Sequence, residues 1–475
     1  MQLKALQRIQ ALLDDKSFNE FKAESITGYV TGSGRIDGRK VYISAIVSEK
    51  MPPNVFAGFQ HHLNLLEEAL KNPAPVILIM DIPGHHTSAA QSPFPQNPTK
   101  LLADKHGMGR WYALHAQLSG KVPQICVVCE KMGAALTFPV ALCDAVVMLE
   151  NAGMSIGRPD VVEKIIGEKV DYKKLGGAEM HAQISGSVDK VVKSEDEAFM
   201  FVRHYLSFLP FASGEALPLS LEREPVMISP TIAELIPDNP NITFDILSVI
   251  AALADNSDPE NGSGASLLQM RAEFAREVIT GFARVNGQPV GIIANNSQYK
   301  GGVFFPASCR KVSRFVSLCD SFGLPLVFLA DSAGFMVGST VEQAGIIREA
   351  ALMLQTIANT SVAKLSVVLR RDYTAGVYAM AGPGMNPENF IALPTAIISI
   401  YGKAVADKLG HEDSNICEAK NRQDMLNNAS DLQELQRQGL LDEIVQAKDL
   451  RARIKQFLEG KNDGNSASGR PVLLL

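Results

Sequence analysis

The sequence predicts an α/β protein made of two copies of one domain, and three repeated features carry this prediction. A strand–turn–strand pattern occurs twice, as TGSGRIDGRKVYISAIVS from Thr31 and as TGFARVNGQPVGIIANNS from Thr280. An apolar run leads to an Asp-x-x-Gly turn at 81–84 and again at 331–334. The segment KVPQICVVCEKMGAALTFPVA pairs in the same way with SVAKLSVVLRRDYTAGVYAMA. Three features in one order, about 250 residues apart, indicate a duplicated domain rather than a solenoid or propeller.

The elements within each copy alternate between strands and helices. The chain starts with an amphipathic pattern that predicts a helix over 1–20. The strand patterns VYISAIVS, PVILIMD, ICVVCE and AVVML then alternate with helical stretches such as FQHHLNLLEEALK. This rhythm is typical of an α/β fold. The dipeptides at 37–38 (Asp-Gly) and 286–287 (Asn-Gly) predict hairpins with type I′ turns. His61 and His62 lie in a helical pattern and are expected at the surface.

The chain length predicts more than one domain, because single cores rarely grow beyond about 300 residues. With 475 residues, we expect a first domain over 1–210 and a second over 243–460. Residues 211–242 are rich in proline and polar residues, which predicts a linker. Residues 461–475 are expected to form a disordered tail.

Composition and charge exclude several function classes. The net charge of −6 offers no electrostatic footprint for nucleic acid or for an anionic membrane surface. No apolar run approaches the roughly 18 residues of a membrane span, and the first residues do not resemble a signal peptide. A cytoplasmic location is therefore expected. The sequence also lacks GxGxxG behind a strand, a phosphate loop and HExxH, so dinucleotide and nucleotide triphosphate chemistry have no support.

The pair Cys126-x-x-Cys129 allows a metal or redox interpretation and a packing interpretation. It lies within the run QICVVCE, which reads as a buried strand, and residues three apart on a strand point to opposite faces. No second CxxC completes a zinc site. We therefore expect buried packing cysteines and no metal.

Two turns of small residues are the strongest candidates for chemistry. Each follows an apolar strand and precedes a helix-like stretch, and we name them the first cradle (Gly133–Ala135) and the second cradle (Thr374–Gly376). Small residues there let a ligand approach the backbone. The first N–H groups of a helix lack internal partners, and two of them can stabilise a developing enolate oxygen. Tight helix–sheet packing is the alternative interpretation.

Long motifs give the chain a family resemblance. GFARVNGQPVGIIANN, LADSAGFMVGSTVEQAGIIREAALML and LRRDYTAGVYAMAGPGMNPENFIALPTA resemble the carboxyltransferase (β) subunit of biotin-dependent acyl-CoA carboxylases. In the first half, QRIQALLDDKSFNEF and IGRPDVVEKIIGEKVDYKKLGGAEMHAQISGSVDKV resemble the same family, so the resemblance runs from about 5 to 458. In the second half, GFMVG and AGVYAM are closer to the methylcrotonyl-CoA and geranyl-CoA types.

This resemblance implies a fold and a mechanism. The fold is a tandem duplication of crotonase-like (ββα superhelix) domains. The first cradle would hold the thioester oxygen of an acyl-CoA, and the second would hold the ureido oxygen of biotin. The two sites would meet across a dimer interface in a homo-oligomer, usually a hexamer. Carboxybiotin would release carbon dioxide, the biotin enolate would deprotonate the acyl-CoA, and the carbanion would capture the carbon dioxide. The cofactor is then the base, which fits a chain without an obvious catalytic triad.

The resemblance also assigns residues to these sites. The catalytic backbone pairs are Ala134 with Ala135 and Ala375 with Gly376. On the substrate and CoA side it assigns Gly84, Gly133, Gly176, Gly177 and His181, and on the biotin side Phe335, Gly338 and Tyr378. His181 has two interpretations, a buried hydrogen-bonded histidine or a residue that contacts substrate.

The first half departs from the family pattern in two places. Alanines stand at Ala134 and Ala135, where the family has Gly-Gly, and their methyl groups would crowd the cradle. The family turn DSGGAR is replaced by DIPGHH at 81–86, followed by a proline-rich segment to 100. His85 and His86 are either functional, as metal ligands or acid–base groups, or solvated loop residues.

These departures leave three functions open. The first is carboxylation of an acyl-CoA, the second is decarboxylation or transcarboxylation on the same scaffold, and the third is a catalytically degenerate paralogue that fills a subunit position. Biotin attachment needs a lysine in an AMKM-like hairpin, which the sequence lacks. A partner chain must therefore carry biotin, and for carboxylation a biotin carboxylase is also required.

Overall fold

The computed structural model describes residues 2–21, 29–47, 55–81, 103–225, 229–257, 266–400 and 431–474. The chain divides into two compact units. The first comprises Met1–Glu215 and Ser468–Leu474, and the second comprises Ala216–Ala467. The boundary between them lies within the segment 211–242 that the sequence predicts as a linker.

The first unit contains a seven-stranded sheet with the order β1-β2-β3-β4-β5-β7-β9 and a separate pair, β6-β8. Its strands are β1 (Asn19–Glu20), β2 (Tyr29–Ile36), β3 (Arg39–Val47), β4 (Val76–Asp81), β5 (Gln124–Val128), β6 (Lys131–Gly133), β7 (Ala145–Leu149), β8 (Gly153–Ser155) and β9 (Lys190–Val192). Its helices are α1 (Gln2–Leu12), α2 (Val55–Lys71), α3 (Met108–Leu118), α4 (Thr137–Ala141), α5 (Pro159–Ile166), α6 (Tyr172–Gly176), α7 (Ala178–Met180) and α8 (Glu195–Phe208). A 3₁₀ turn (Ala134–Leu136) precedes α4, and a π turn (His181–Ser185) follows α7.

The second unit contains a sheet with the order β10-β11-β12-β13-β14-β15-β17, and β16 pairs with β14. Its strands are β10 (Leu268–Gln269), β11 (Val278–Val285), β12 (Gln288–Asn295), β13 (Leu326–Ser332), β14 (Lys364–Tyr373), β15 (Asn389–Ala392), β16 (Ile397–Ser399) and β17 (Glu443–Ile444). Its helices are α9 (Ile232–Leu235), α10 (Ile246–Leu253), α11 (Pro306–Phe322), α12 (Ser339–Gln343), α13 (Ile346–Asn359), α14 (Gly376–Ala379), α15 (Leu432–Arg437) and α16 (Leu450–Leu458). Its 3₁₀ turns are Lys300–Gly302, Pro383–Met385 and Ala447–Asp449.

The two units share one topology, which confirms the predicted duplication. In each, a short strand and an antiparallel hairpin lead into parallel strands, because β3-β4-β5-β7-β9 and β12-β13-β14-β15-β17 are all parallel pairs. The ten residues of β14 correspond to β5 and β6 together. Accordingly, β16 pairs with 371–373 as β8 pairs with 131–133. The central strands β4 and β13 are buried along their whole length, as expected where helices cover both faces of a parallel sheet.

Both predicted hairpin turns are type I′. The central residues have positive φ, 50° at Asp37 and 74° at Gly38, and 55° at Asn286 and 74° at Gly287. Two consecutive residues with positive φ match the twist of the flanking strands, which is the reason Asp-Gly and Asn-Gly favour this turn.

An aspartate clamps each hairpin turn, a repeat that the sequence comparison missed. Asp14 accepts hydrogen bonds from the two turn N–H groups at 37 and 38, at 3.1 and 2.8 Å. Asp255 accepts from the N–H groups at 286 and 287, at 2.9 and 2.7 Å. An arginine then holds each aspartate at 3.0 Å, Arg203 in the first unit and Arg451 in the second. The clamps therefore tie each hairpin to a distant helix, α8 or α16.

Three expectations are wrong. The first helix ends at Leu12, so the prediction of a helix to residue 20 extends too far. His62 is fully buried rather than at the surface, and its Nδ1 lies 2.9 Å from Ser44 Oγ. The tail is ordered through 474, with Val472 buried and its N–H bonded to Ser119 Oγ at 3.0 Å.

Candidate active site

The second cradle forms where β14 turns into α14. Thr374 has a left-handed backbone with φ of 53°, and its N–H donates to Ser399 O at 3.1 Å. The next two N–H groups, of Ala375 and Gly376, have no hydrogen-bond acceptor among the described residues. They lie at the start of a helix, where an anionic or carbonyl oxygen is favoured.

Gly376 is required by space. A Cβ at this position would lie 2.5 Å from Ser332 Oγ and 3.0 Å from Asp372 Oδ1. Real Cβ atoms do not approach other atoms so closely, so any side chain here would displace the turn. The glycine therefore lets the second cradle sit directly on the ends of β13 and β14.

The turn that follows β13, at 333–335, supports the second cradle. Gly334, with φ of 89°, packs so closely that a Cβ would lie 2.6 Å from Thr374 Oγ1. Its N–H donates to Ser332 Oγ at 3.1 Å, and its carbonyl accepts from Phe304 N–H at 2.9 Å. Phe335 packs against Phe304 with the rings tilted by 34° and their centroids 5.3 Å apart.

A buried network of charged side chains joins β13 and β14, the strands before the two turns. Asp331 is fully buried and accepts from Arg370 at 3.1 and 2.8 Å and from Arg371 at 3.1 Å. The two arginines also donate to backbone carbonyls of residues 239–242. Asp331 lies next to the end of β13, before one turn, and the arginines lie near the end of β14, before the other, so the network holds the two turns at a set spacing.

Exposed apolar groups follow the two turns of the second unit. Tyr378 in α14 is 48% exposed, and Val337, just before Gly338, is 80% exposed. Gly338 is the N-cap of α12 with φ of 129°, and a Cβ there would meet nothing within 4 Å. These residues offer apolar surface beside polar backbone donors, as ligand sites commonly do.

The first cradle has the same backbone form. Ala134 has a left-handed φ of 56°, matching Thr374. The N–H groups of Ala134 and Ala135 have no acceptor among the described residues, and both residues are exposed. Their carbonyls are occupied, because Thr137 Oγ1 donates to Ala134 O and Tyr112 Oη to Ala135 O, each at 2.9 Å.

The matching left-handed residues change the alignment of the donor pairs. If Ala134 corresponds to Thr374, then Ala375 and Gly376 correspond to Ala135 and Leu136. Leu136 therefore joins the candidate donors, and the sequence analysis missed it. The signal was present, because the paired segments from Lys121 and Ser361 already align these positions. Gly133 lies before the turn in extended backbone.

The GGAxxH motif supports the first cradle from behind. Gly176 packs on Met154, where a Cβ would collide with the carbonyl oxygen, and Gly177 packs equally closely on Lys173 O, 2.5 Å from its would-be Cβ. His181 Nε2 donates to Met154 O at 2.8 Å, and its Nδ1 lies 2.9 Å from Ser185 Oγ. Met154 lies in β8, which pairs with β6 directly before the cradle.

His181 is half-buried and lies in the π turn that follows α7. Both of its ring nitrogens are engaged within the first unit, and burial lowers the pKa of its imidazole. Cys126 and Cys129 are both buried and unpaired, which confirms the packing interpretation of that pair. Gly84, His85, His86 and the rest of 87–100 lie outside the described residues.

Within the described ranges, no group of three or more His, Cys, Asp or Glu side chains could hold a metal ion. No helix of the described chain is long and apolar enough to cross a membrane.

Comparison with known proteins defines the class. Over 96% of this chain and 89% of the other, the fold is similar to the crystal structure of transcarboxylase 12S with methylmalonyl-coenzyme A bound, with a TM-score of 0.82 and 28% identity. The carboxylase YngE of Bacillus subtilis is 39% identical over 398 residues, 83% of this chain and 75% of that relative. The methylmalonyl-CoA decarboxylase subunit alpha of Veillonella parvula is 30% identical over 467 residues, 94% of this chain and 87% of that relative.

The family follows from a match over nearly the whole sequence. Residues 2–465 match the carboxyl transferase domain, and the chain belongs to that family. This confirms the resemblance drawn from the motifs and the tandem α/β fold expected from it.

Proposed function

We propose that this chain is a carboxyltransferase subunit that moves a carboxyl group between biotin, carried by a partner protein, and an acyl-CoA thioester. The observation that carries the proposal is the repeated cradle. Each unit presents adjacent backbone N–H groups, without acceptors among the described residues, after a left-handed residue at a strand-to-helix turn. The names of the relatives, a carboxylase, a decarboxylase and a transcarboxylase, support the same reaction class.

On the acyl-CoA side, the first cradle would hold the thioester oxygen. The donor pair would be either Ala134 with Ala135 or Ala135 with Leu136, so Ala135 supplies an N–H group in both cases. Negative charge develops on this oxygen when the α-carbon loses a proton, and backbone donors that are already oriented stabilise it without reorganisation. Gly84 and Gly133 are assigned to the same side, and Gly176, Gly177 and His181 position the turn.

On the biotin side, the second cradle would hold the ureido oxygen. Ala375 and Gly376 supply the donors, and Phe335, Gly338 and Tyr378 line the approach. The fit rests on two N–H groups that have no acceptor among the described residues and lie beside exposed apolar surface. When bound, biotin supplies the carboxyl group that is transferred and the base that removes the substrate proton.

The test is a transfer assay with the purified chain. Malonyl-CoA and methylmalonyl-CoA are incubated with a biotinylated carrier protein, and loss of the carboxyl group is followed by mass spectrometry. The forward direction uses carboxylated carrier with acetyl-, propionyl- or 3-methylcrotonyl-CoA. Biotin-dependent transfer in either direction supports the proposal. Silence with every acyl-CoA, together with retained acyl-CoA binding by calorimetry, contradicts it and favours the degenerate paralogue.

A decarboxylase or transcarboxylase role is the second candidate, because the Veillonella decarboxylase subunit aligns over 94% of this chain. Transfer from methylmalonyl-CoA to carrier without forward carboxylation would favour this role.

We further propose a homo-oligomer, hexameric as in transcarboxylase 12S, and light scattering of the purified chain tests its mass.

A further inference from the structure

Asp372 stands out among the groups that the proposed reaction does not use. It lies in β14, two residues before the second cradle, and it is fully buried. Neither carboxyl oxygen has a hydrogen-bond partner among the described residues. A buried polar group without a partner normally destabilises a protein, so such a group calls for a functional explanation.

The position of the carboxyl group connects it to the second cradle. Asp372 Oδ1 lies 3.0 Å from the point that a Cβ on Gly376 would occupy, so it faces the residue that supplies a donor N–H. The neighbouring strands hold it there, because Asp372 pairs with Ser332 in β13 and with Ile398 in β16. A charge on this carboxyl group would act directly on the donors of the cradle.

The surrounding charges do not neutralise this group. On β13, the carboxylate of Asp331 acts electrostatically on Asp372, and Asp331 itself accepts hydrogen bonds from Arg370 and Arg371. Neither arginine hydrogen-bonds to Asp372, and β16 contributes no charged residue. On α14, the titratable side chain is Tyr378, which is exposed.

Burial first, and the carboxylate of Asp331 second, raise the pKa of Asp372 well above its usual range. A carboxylic acid in such a place stays neutral at the pH where an exposed aspartate is ionised. Neutrality matters here, because a negative charge behind the cradle would oppose a negative oxygen in front of it.

We propose that Asp372 is a positioning residue, held as a neutral carboxylic acid behind the second cradle, and that its neutrality lets the cradle accept a negatively charged oxygen. This inference rests on the proposed carboxyl transfer at that site. The inference extends the proposed function, because it names a residue that acts through the backbone of Gly376 without touching a ligand. The corresponding residue of the first unit is Met132, which is buried and cannot ionise.

The first measurement asks whether the group is protonated, and it needs no ligand. Infrared difference spectra between wild type and Asp372→Asn should show the C=O band of a protonated carboxylic acid at pH 7. The band should be present only in wild type and should disappear as the pH rises. Its absence at pH 7 would overturn the proposal.

The second measurement asks whether neutrality matters for transfer. Wild-type transfer should fall at alkaline pH as Asp372 ionises, by about tenfold for each pH unit beyond the midpoint. Asp372→Asn, neutral at every pH, should keep neutral-pH transfer within a few-fold and lose this decline. Asp372→Met places the residue of the corresponding position, Met132, in the second unit, and it should also lose the alkaline decline in transfer. Agreement between the two variants would show that the effect does not come from the amide of asparagine.

The outcomes separate this inference from the proposed function. An unchanged alkaline decline in both variants, or an equal loss of transfer at every pH in folded variants, overturns the role of Asp372 while the function stands. A wild-type chain that transfers no carboxyl group at any pH contradicts the function and the electrostatic role together. The infrared band then still decides the protonation state.

Discussion

Asp81 and Asp331 occupy the same place in the two units, at or next to the end of the fourth strand of each sheet, yet different parts of the chain neutralise them. Asp81 binds Arg8 at 2.5 Å and Lys4 at 3.0 Å, both on α1. Asp331 binds Arg370 and Arg371, which lie on the adjacent strand β14. The duplicated fold therefore keeps a buried carboxylate at this edge, while the source of its partner differs.

The cradles differ in a related way. The first follows β6, a three-residue strand in a separate two-stranded sheet, whereas the second follows β14, which is continuous with the main sheet. The second cradle thus rests on charged and polar groups of the sheet, and the first on the GGAxxH motif. We infer that one backbone form can be supported by two sets of contacts.

The largest expected effect tests the two buried aspartates against each other. Asp331→Ala leaves the buried guanidinium group of Arg370 and the partly buried one of Arg371 without their carboxylate, and it should lower stability by about 3–5 kcal/mol. Asp81→Ala should cost less, about 1–3 kcal/mol, because Arg8 keeps Glu195 as a partner. Thermal unfolding of both variants measures the difference. Equal losses would show that the second partner of Arg8 does not matter.

The second prediction concerns the cradles themselves. Gly376→Pro removes a donor N–H and should lower kcat/KM for carboxyl transfer by about 100-fold. Gly376→Ala introduces the same Cβ collision but keeps the N–H, so it separates crowding from donor loss. Gly384→Ala is the matched control, because a Cβ there meets nothing within 4 Å. Wild-type turnover in a folded Gly376→Pro protein would refute the role of this donor.

Ala135→Pro removes a candidate donor N–H from the first cradle without adding a Cβ, because alanine already carries one. A loss of similar size would show that this cradle is active despite its alanines. Unchanged turnover would instead place the acyl-CoA oxygen on other donors.

The third prediction uses a pH response that resides in the first unit. His62 and His115 are fully buried there, and burial lowers the pKa of His62 well below its usual range and that of His115 to about 4. The unfolded chain binds protons on these residues below about pH 6.5, and the folded chain does not. Stability should therefore fall as the pH drops from 6.5 towards 4, by about 2 kcal/mol at pH 5 for His115 alone.

Calorimetry of wild type and His115→Asn across this pH range checks the effect. The variant should lose part of the acid sensitivity, because one buried imidazole is gone. His106→Gln, at an exposed position, should behave like wild type. An unchanged acid response in His115→Asn would assign the sensitivity to other groups.

The smallest effects should come from the hairpin clamps. Asp255→Ala leaves two turn N–H groups and the partly buried Arg451 without their acceptor, so a loss of about 1–3 kcal/mol is expected. Asp14→Ala should cost about 0.5–1.5 kcal/mol, since Asp14 and Arg203 are more exposed to solvent. Unfolding midpoints of the two variants rank them, and the reverse order would contradict the argument from burial.

Local patterns explain what the sequence could predict. The Asp37-Gly38 turn and the buried run of β4 depend on neighbouring residues, and both are found as expected. The clamp from Asp14 to that turn spans more than 20 residues and has no local signal. His62 lies on a helix whose pattern does not reveal which tertiary surface covers it. Asp372 has no hydrogen-bond partner among the described residues because three strands pack together around it, so only the structure could show this.

The ordered segment after residue 467 has a consequence for the order of synthesis. Val472 bonds to Ser119, which is made 353 residues earlier, and Gly120 packs against the backbone of Arg470. At roughly 5–20 residues per second on the ribosome, these partners are synthesised about 20–70 s apart. During that interval the surface around Ser119 and Gly120 stays uncovered in the nascent first unit, while the entire second unit is translated. The unit that emerges first is thus the last to be completed.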